Sequence, residues 1–88
     1  MLLHYSKLTQ ENITEQTTED LAKLYYEARD GKAFSKSCLN NAIILDVTER
    51  KLANAKKNYE QDKRWYALIT NELTSRGIKT VYRDGSYN

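Results

Sequence analysis

Apolar residues first recur at helical spacing in the segment LAKLYYEA, which begins at Leu21. Thr17 offers a hydroxyl N-cap ahead of two acidic residues, and acids suit the positive end of a helix dipole. Gly31 follows the last apolar position and is a common residue just beyond a helix C-terminus. The pattern therefore predicts a helix within residues 17–31.

A second apolar pattern repeats every seven residues and predicts helix across residues 35–76. Three interpretations remain open for this segment. A continuous helix would be on the order of 60 Å long and would project to pack against another subunit. Alternatively, the helix breaks at Asp46, which would act as an N-cap with Glu49 three residues on. The third interpretation makes 42–45 a strand, because two β-branched residues lie there. The repeat consists of Cys38, Leu45, Leu52, Tyr59, Tyr66 and Leu73.

The two ends of the chain lack a helical pattern. Residues 1–16 form an N-terminal arm, and residues 77–88 form a tail with strand-like composition and an Asp84-Gly85 turn. A lone strand needs a partner, and Leu2–Tyr5 is the other candidate. The expected fold is mainly α: a single small domain with a long C-terminal amphipathic helix and, as an option, a short pair of terminal strands.

Composition narrows the class of protein further. The chain has 88 residues, which suits one domain, and its net charge of +2 permits contact with a polyanion without requiring it. A single cysteine forms neither an internal disulfide nor a cysteine zinc site. No apolar run approaches the roughly 20 residues of a membrane span, and no signal peptide is evident. We therefore expect a cytoplasmic protein without membrane contact.

Candidate catalytic residues are few. His4 is the only histidine and lies near the start of the chain, where a surface or packing role is expected. Cys38 falls on the seven-residue repeat, which indicates a small core residue rather than a nucleophile. The carboxylates are scattered, and no phosphate-binding, metalloprotease or hydrolase motif is present. The sequence thus predicts no enzyme activity, no metal site and no cofactor.

The segment 50–66 combines cations with aromatic residues, a composition typical of nucleic-acid binding. Phosphates would be neutralised by the cations, and a base would stack on the tryptophan. The competing interpretation is an ordinary solvated face, with Glu60 and Arg64 forming a surface pair four residues apart. The residues that would carry nucleic-acid binding are Arg50, Lys56, Lys57, Lys63, Arg64 and Trp65.

Two adjacent aromatic pairs suggest a protein interface instead. Neighbouring residues on a helix point about 100° apart, so Tyr26 and Trp65 are expected to face away from the main core. Exposed aromatic residues beside arginine are typical of interface hot spots. The leading hypothesis is a non-catalytic, self-associating interaction protein with a protein partner, expected to be a homo-oligomer; nucleic-acid binding is the alternative. The predicted interface comprises Tyr26, Tyr59, Lys63, Arg64, Trp65 and Tyr66.

The chain resembles known classes of protein in its composition and in two short motifs. Its lack of proline and its many lysines, asparagines and tyrosines are similar to small accessory or inhibitor proteins of phages and mobile elements. An early Tyr-x-x-Leu-Thr motif is formed by Tyr5, Leu8 and Thr9, and a later Asp-x-Arg-Trp motif by Asp62, Arg64 and Trp65. These two short motifs resemble those of phage-encoded cyclic-dinucleotide sponges, from which the segment between them departs in length and pattern. The resemblance implies a nucleotide-binding sponge as a further alternative.

Overall fold

The computed structural model describes residues 4–88, and this part of the chain is mainly helical, as the sequence predicts. Helix α1 spans Thr18–Ile44 and helix α2 spans Glu49–Ser75, each 27 residues long. A short loop joins the helices, so they pack against each other as a hairpin. Two single 3-10 turns, Tyr5–Lys7 and Ile13–Glu15, precede α1 and pack against the hairpin.

Each helix begins with a threonine cap. The Thr17 hydroxyl accepts a hydrogen bond from the Asp20 backbone N–H at 3.1 Å, and the Thr48 hydroxyl accepts one from Lys51 at 3.4 Å. These contacts satisfy backbone donors that the first helical turn leaves free. The cap expected at Asp46 is therefore wrong, because Thr48 caps α2 and Asp46 belongs to the preceding loop.

Both helices end in the same backbone motif. At the end of α1, the Val47 N–H donates to Ala42 and the Asp46 N–H donates to Ile43, the paired bonds of a Schellman motif. Gly77 occupies the corresponding left-handed position after α2, with φ of 81°, whereas Asp46 adopts φ of 51°. The left-handed residue after α1 reverses the chain, so the segment 35–76 is broken into two helices rather than continuous.

The helix predicted within residues 17–31 does not stop at Gly31. Helix α1 continues to Ile44, and Gly31 has none of the positive φ that a terminating glycine would show. Gly31 serves a tertiary contact instead, because a Cβ at this position would lie 2.5 Å from the Tyr5 hydroxyl oxygen. The glycine lets the Tyr5 ring lie against α1, where it also packs edge-on against Trp65 at 5.5 Å between ring centroids.

A double-mutant cycle tests this role of Gly31. In the wild-type background, Gly31→Ala is expected to destabilise the fold, because the new methyl group displaces the half-buried Tyr5 ring. In a Tyr5→Ala background the same change should stabilise the fold by about 1 kcal/mol, the usual advantage of alanine over glycine inside a helix. Urea unfolding of the four proteins measures both effects. Equal effects of Gly31→Ala in the two backgrounds would contradict the contact.

The seven-residue repeat does not mark a single buried stripe. Cys38 and Leu45 are exposed, Leu52 is half-buried, and Leu73 is buried. The chain reversal at Asp46 explains the difference, because the repeat continues in the sequence while the helix that would carry it ends. The strand proposed for residues 42–45 is also wrong, since Ala42 to Ile44 form the last turn of α1.

The tail folds on itself rather than pairing with the N-terminal arm. Val81 and Tyr87 form an isolated antiparallel bridge, closed by a turn at Asp84 and Gly85. The described residues contain no strand, so the terminal strand pair is wrong for them. Of its proposed N-terminal member Leu2–Tyr5, the first two residues lie outside the described part of the chain. Tyr5 lies in a 3-10 turn.

The hydrophobic core lies at the end of the hairpin that carries the two chain ends. Leu21 and Leu24 of α1 meet Ile69 of α2, and all three side chains are fully buried. The N-terminal arm and the end of α2 complete this core, so the two 3-10 turns cover the base of the hairpin. The remaining core members are Leu8, Ile13, Ala28 and Leu73.

Candidate functional site

The outer part of the hairpin has no core. No residue between Ser35 on α1 and Ile69 on α2 is buried. Burial is the main favourable contribution to folding, so this part of the monomer gains little from tertiary packing. We call residues 36–58 the distal half. Its surface, rather than the well-packed base, is the place to seek a partner.

The distal half exposes large apolar side chains where the chain reverses. Ile43, Ile44 and Leu45, which we call the apolar tip, are 58%, 77% and 73% exposed. Phe34 is 72% exposed and lies about three helical turns before the tip. The three adjacent residues of the apolar tip form a candidate interaction surface, because contiguous exposed apolar patches mark interaction sites.

A groove between the helices lies beside Phe34. Its volume is about 270 Å³, and Cys38 and Ala55 contribute to its walls. We call it the distal groove. Cys38 is thus an exposed residue of a groove, and the prediction that it belongs to the core is wrong. The other lining residues are Ser35, Lys51, Asn54 and Asn58.

Two aromatic residues predicted to face away from the core are covered by the chain ends. The Tyr26 hydroxyl donates to the Val81 carbonyl at 2.7 Å, and the Arg83 guanidinium lies 4.7 Å from the Tyr26 ring centroid. Trp65 is half-buried beside Tyr5. The sequence gives no sign of these contacts, because the tail and the N-terminal arm reach the helices from more than 50 residues away.

The other predicted interface residues lie on two different faces of α2. Tyr59 lies under Lys63, whose Nζ is 4.9 Å from the ring centroid. Lys63 pairs with Glu60 at 3.0 Å, so the predicted Glu60–Arg64 pair is replaced by one at three-residue spacing. Tyr66 meets Tyr25 through their hydroxyls, whereas Arg64 is exposed on the outer face.

The residues proposed for nucleic-acid binding also fail to form one surface. Arg50, Lys57 and Arg64 follow each other at seven-residue spacing along the exposed outer face of α2. Lys56 and Lys63 are also seven residues apart, and both lie on the flank of α2 that carries Tyr59. Trp65 lies against Tyr5 on the opposite flank, so it does not offer a free ring beside these cations.

A basic and aromatic cleft lies on the flank of Tyr59. Three cations from α1, Arg29, Lys32 and Lys36, face Tyr59 and Tyr66 from α2 across a space of about 260 Å³. We call this the basic–aromatic cleft. Lys32 Nζ lies 4.8 Å from the Tyr66 ring centroid, a cation–π contact worth about 0.5–1 kcal/mol at an exposed site. The sequence analysis did not connect these three cations because it ended the helix at residue 31, which left Lys32 and Lys36 outside the helix that contains Arg29.

Hydrogen bonding between tyrosines anchors one wall of the cleft. The Tyr25 and Tyr66 hydroxyls lie 3.2 Å apart, and their ring centroids lie 5.6 Å apart. The hydrogen bond with Tyr66, reinforced by burial, raises the pKa of Tyr25 above its usual value. Tyr25 therefore stays protonated at neutral pH, and its hydroxyl holds Tyr66 so that the Tyr66 ring lines the cleft.

The opposite flank holds a polar contact beneath Tyr5. The Ser35 hydroxyl lies within hydrogen-bond reach of the Asp62 carboxylate and of the Gly31 carbonyl, and its one hydrogen is shared between these two acceptors. Burial raises the pKa of Tyr5, and the nearby Asp62 and Glu27 carboxylates raise it further. Asp62 is thereby directed away from the basic–aromatic cleft.

The described part of the chain shows no arrangement suited to metal chemistry. Across residues 4–88, no three His, Cys, Asp or Glu side chains come together as metal ligands. His4 Nδ1 lies 2.7 Å from the Ser6 hydroxyl at the exposed start of a 3-10 turn. Neither described helix is long and apolar enough to cross a bilayer.

The residues that resemble the cyclic-dinucleotide sponges are partly brought together. Tyr5 packs against Trp65, and Asp62 lies close enough to Tyr5 to influence its pKa. Arg64 instead lines a separate surface hollow with Gln10. Comparison of the chain with protein-family models, with curated proteins and with solved structures finds no match.

Proposed function

We propose that this chain is a non-catalytic interaction protein that self-associates through its distal half. The observation that carries the proposal is the apolar tip, where Ile43, Ile44 and Leu45 are exposed. The distal half of the hairpin behind this tip contains no buried residue. In the proposed dimer, the tip of each copy lies in the distal groove of the other. A two-fold axis then makes the two contacts equivalent.

The exposed area supports a partner of ordinary size. A globular chain of 10.3 kDa is expected to expose about 5,400 Å². This chain exposes 6228 Å², an excess of roughly 850 Å² that is close to the ~800 Å² each protein contributes to a standard interface. The radius of gyration points the same way, because 14.6 Å exceeds the roughly 12 Å expected for a compact chain of this length.

The chemistry of the distal half supports a second copy as the partner. The tip supplies aliphatic side chains, and the groove supplies Phe34 and Ala55 to receive them. Asp46 follows the tip, whereas Lys51 lies in the groove wall. Side-by-side packing in opposite directions would set the carboxylate of one copy near the ammonium of the other, and such complementarity fixes register.

Light scattering coupled to size exclusion tests the proposal. The wild-type chain is expected to elute at twice its 10.3 kDa mass, and Ile44→Glu/Leu45→Glu is expected to elute as a monomer. Buried, unpaired carboxylates at the tip would oppose association strongly. Asn71→Glu/Thr74→Glu adds the same charge at exposed positions near the base and should remain dimeric. A monomeric wild type at high concentration, or equal loss in both variants, would sink the proposal.

The alternative function, nucleic-acid binding through residues 50–66, has weaker support from the geometry. Its cations lie on the outer face and one flank of α2, and Trp65 lies on the other flank against Tyr5. A strand following this segment would have to cross the helix to meet all of them. The apolar tip therefore favours self-association as the primary proposal.

A further inference from the structure

We propose that the basic–aromatic cleft binds single-stranded nucleic acid, with its lysines on the phosphates and a base stacked on Tyr59. This inference uses α1 residues that self-association does not need. The cleft lies on the flank of Lys36 and Tyr59, whereas the distal groove lies on the flank of Phe34 and Cys38. Dimerisation through the groove and tip would leave the cleft open.

The α1 cations of the cleft lack carboxylate partners. Within residues 4–88 the ion pairs are Lys63 with Glu60, Arg76 with Glu72, and Arg83 with Asp30. Arg29, Lys32 and Lys36 therefore keep their charge available for an anion.

Three acids close in sequence to the cleft residues are already engaged by other side chains, and Glu27 lies near Tyr5 on the opposite flank. Asp30 forms two hydrogen bonds with Arg83, and Asp62 accepts from Ser35 on the opposite flank. Glu60 is paired with Lys63, which also covers the Tyr59 ring, so this carboxylate lies at the edge of the cleft. Phosphate oxygens entering beside α1 would thus meet Arg29, Lys32 and Lys36, which have no carboxylate partner within residues 4–88.

The spacing of the cations suits an extended backbone rather than a single anion. Arg29, Lys32 and Lys36 are three and four residues apart, so they form a row about 10 Å long on one side of α1. A strand of linked phosphates can contact such a row at several points, whereas one phosphate contacts part of it.

The tyrosine rings supply the second element of recognition. Lys32 and Lys63 rest over the Tyr66 and Tyr59 rings, and each ammonium is within 5 Å of a ring centroid. When a strand binds, Lys63 moves to a phosphate and a base takes its place over Tyr59. Lys63 thereby exchanges both Glu60 and the Tyr59 ring for a phosphate, and the base covers the ring in its place. Base stacking is sequence-tolerant because every base has a flat face.

A single strand fits better than a duplex. The free space of about 260 Å³ between two helices accommodates one flat base, not a double helix. In a duplex the bases are stacked on each other, and the tyrosines would meet only backbone. We therefore expect binding to depend on unpaired bases.

Fluorescence anisotropy with a labelled oligothymidylate at low salt tests the inference. Lys32→Ala/Lys36→Ala is expected to weaken binding about tenfold and to reduce the slope of log affinity against log salt by about 1.4, the value for two lost phosphate contacts on a single strand. Arg50→Ala/Lys57→Ala removes the same charge from the outer face and should change affinity by less than about threefold. Equal loss in both double variants would overturn the assignment to the cleft.

The aromatic contribution is measured separately. Tyr59→Ala is expected to weaken binding about tenfold, whereas Tyr59→Phe keeps the stacking face and should bind like wild type. A matching duplex should bind more weakly than the single strand. Undiminished binding by Tyr59→Ala, equal binding of the duplex, or absence of binding at low salt would each refute the proposal.

Two further arms identify the source of the ligand and separate this inference from self-association. Thymidine monophosphate and inorganic phosphate at matched phosphate concentration should displace the strand poorly. Efficient displacement by the mononucleotide would instead assign the cleft to free nucleotides, and displacement by inorganic phosphate would remove the role of the base. The Ile44→Glu/Leu45→Glu variant should bind the strand with the wild-type affinity of a single cleft even as a monomer. Any weaker binding should be limited to the avidity that a dimer gains by offering two clefts.

Discussion

Replacing Leu24 with alanine is expected to destabilise the monomer by about 3 kcal/mol, because the side chain is fully buried and its loss leaves a cavity. This is a large fraction of the stability of so small a domain. The measurement is urea unfolding followed by circular dichroism at a protein concentration where the chain is monomeric. Leu24 belongs to the buried hydrophobic cluster, and neighbours such as Leu21 and Ile69 are themselves fully buried, so little rearrangement can fill the space.

Leu52→Ala is the matched control for Leu24→Ala. Leu52 is half-buried in the distal half, where no side chain is buried, and we expect a cost of about 1 kcal/mol or less. Comparable losses at both positions would show that the distal half has a core of its own. That result would also weaken the case for a partner at the tip.

Replacing Arg76 with methionine is expected to cost about 2 kcal/mol, because the guanidinium joins three parts of the chain. It donates to Glu72 at 3.2 Å, to the Thr18 hydroxyl at 3.1 Å and to the Thr14 carbonyl at 3.2 Å. Its side chain is only 21% exposed, and the paired Glu72 side chain is 16% exposed. Methionine keeps much of the apolar stem but leaves that carboxylate without its cation.

Arg64→Met provides the control on the same helix. Arg64 is exposed and makes no ion pair within the described residues, so its replacement should change stability by less than about 0.5 kcal/mol. Urea unfolding compares the two variants directly. If Arg76→Met behaves like Arg64→Met, the N-terminal arm is held by its apolar residues alone.

Local signals in the sequence were sufficient for the helical class of the fold. The hydroxyl and acids at Thr17, Glu19 and Asp20 act within one turn, and their effect on the start of α1 does not depend on the rest of the chain. Gly31 shows where such rules fail. Its lack of a side chain is used by Tyr5, a residue 26 positions earlier, and no local pattern reveals that use.

The candidate surfaces were harder to predict, for two physical reasons. Apolar periodicity does not distinguish a residue packed inside the monomer from one that packs against a partner. The repeat therefore predicts a core position for Cys38 that the structure does not show, and it does not reveal that Leu45 is exposed. The cations of the cleft become recognisable only once α1 is extended past Gly31. Arg29, Lys32 and Lys36 then follow the three- and four-residue spacing of one helix face.

The separation of the core from the distal half has a consequence for genetics. Residues 36–58 contribute little to holding the monomer folded, so most substitutions there should leave protein abundance in the cell unaltered. If the proposed self-association is the function, a loss-of-function allele in this segment would report on the loss of the contact with the second copy rather than on degradation. Alleles at the base of the hairpin would combine loss of function with lower protein abundance. Suppressor mutations that raise the general stability of the fold would rescue these alleles but not the alleles in residues 36–58.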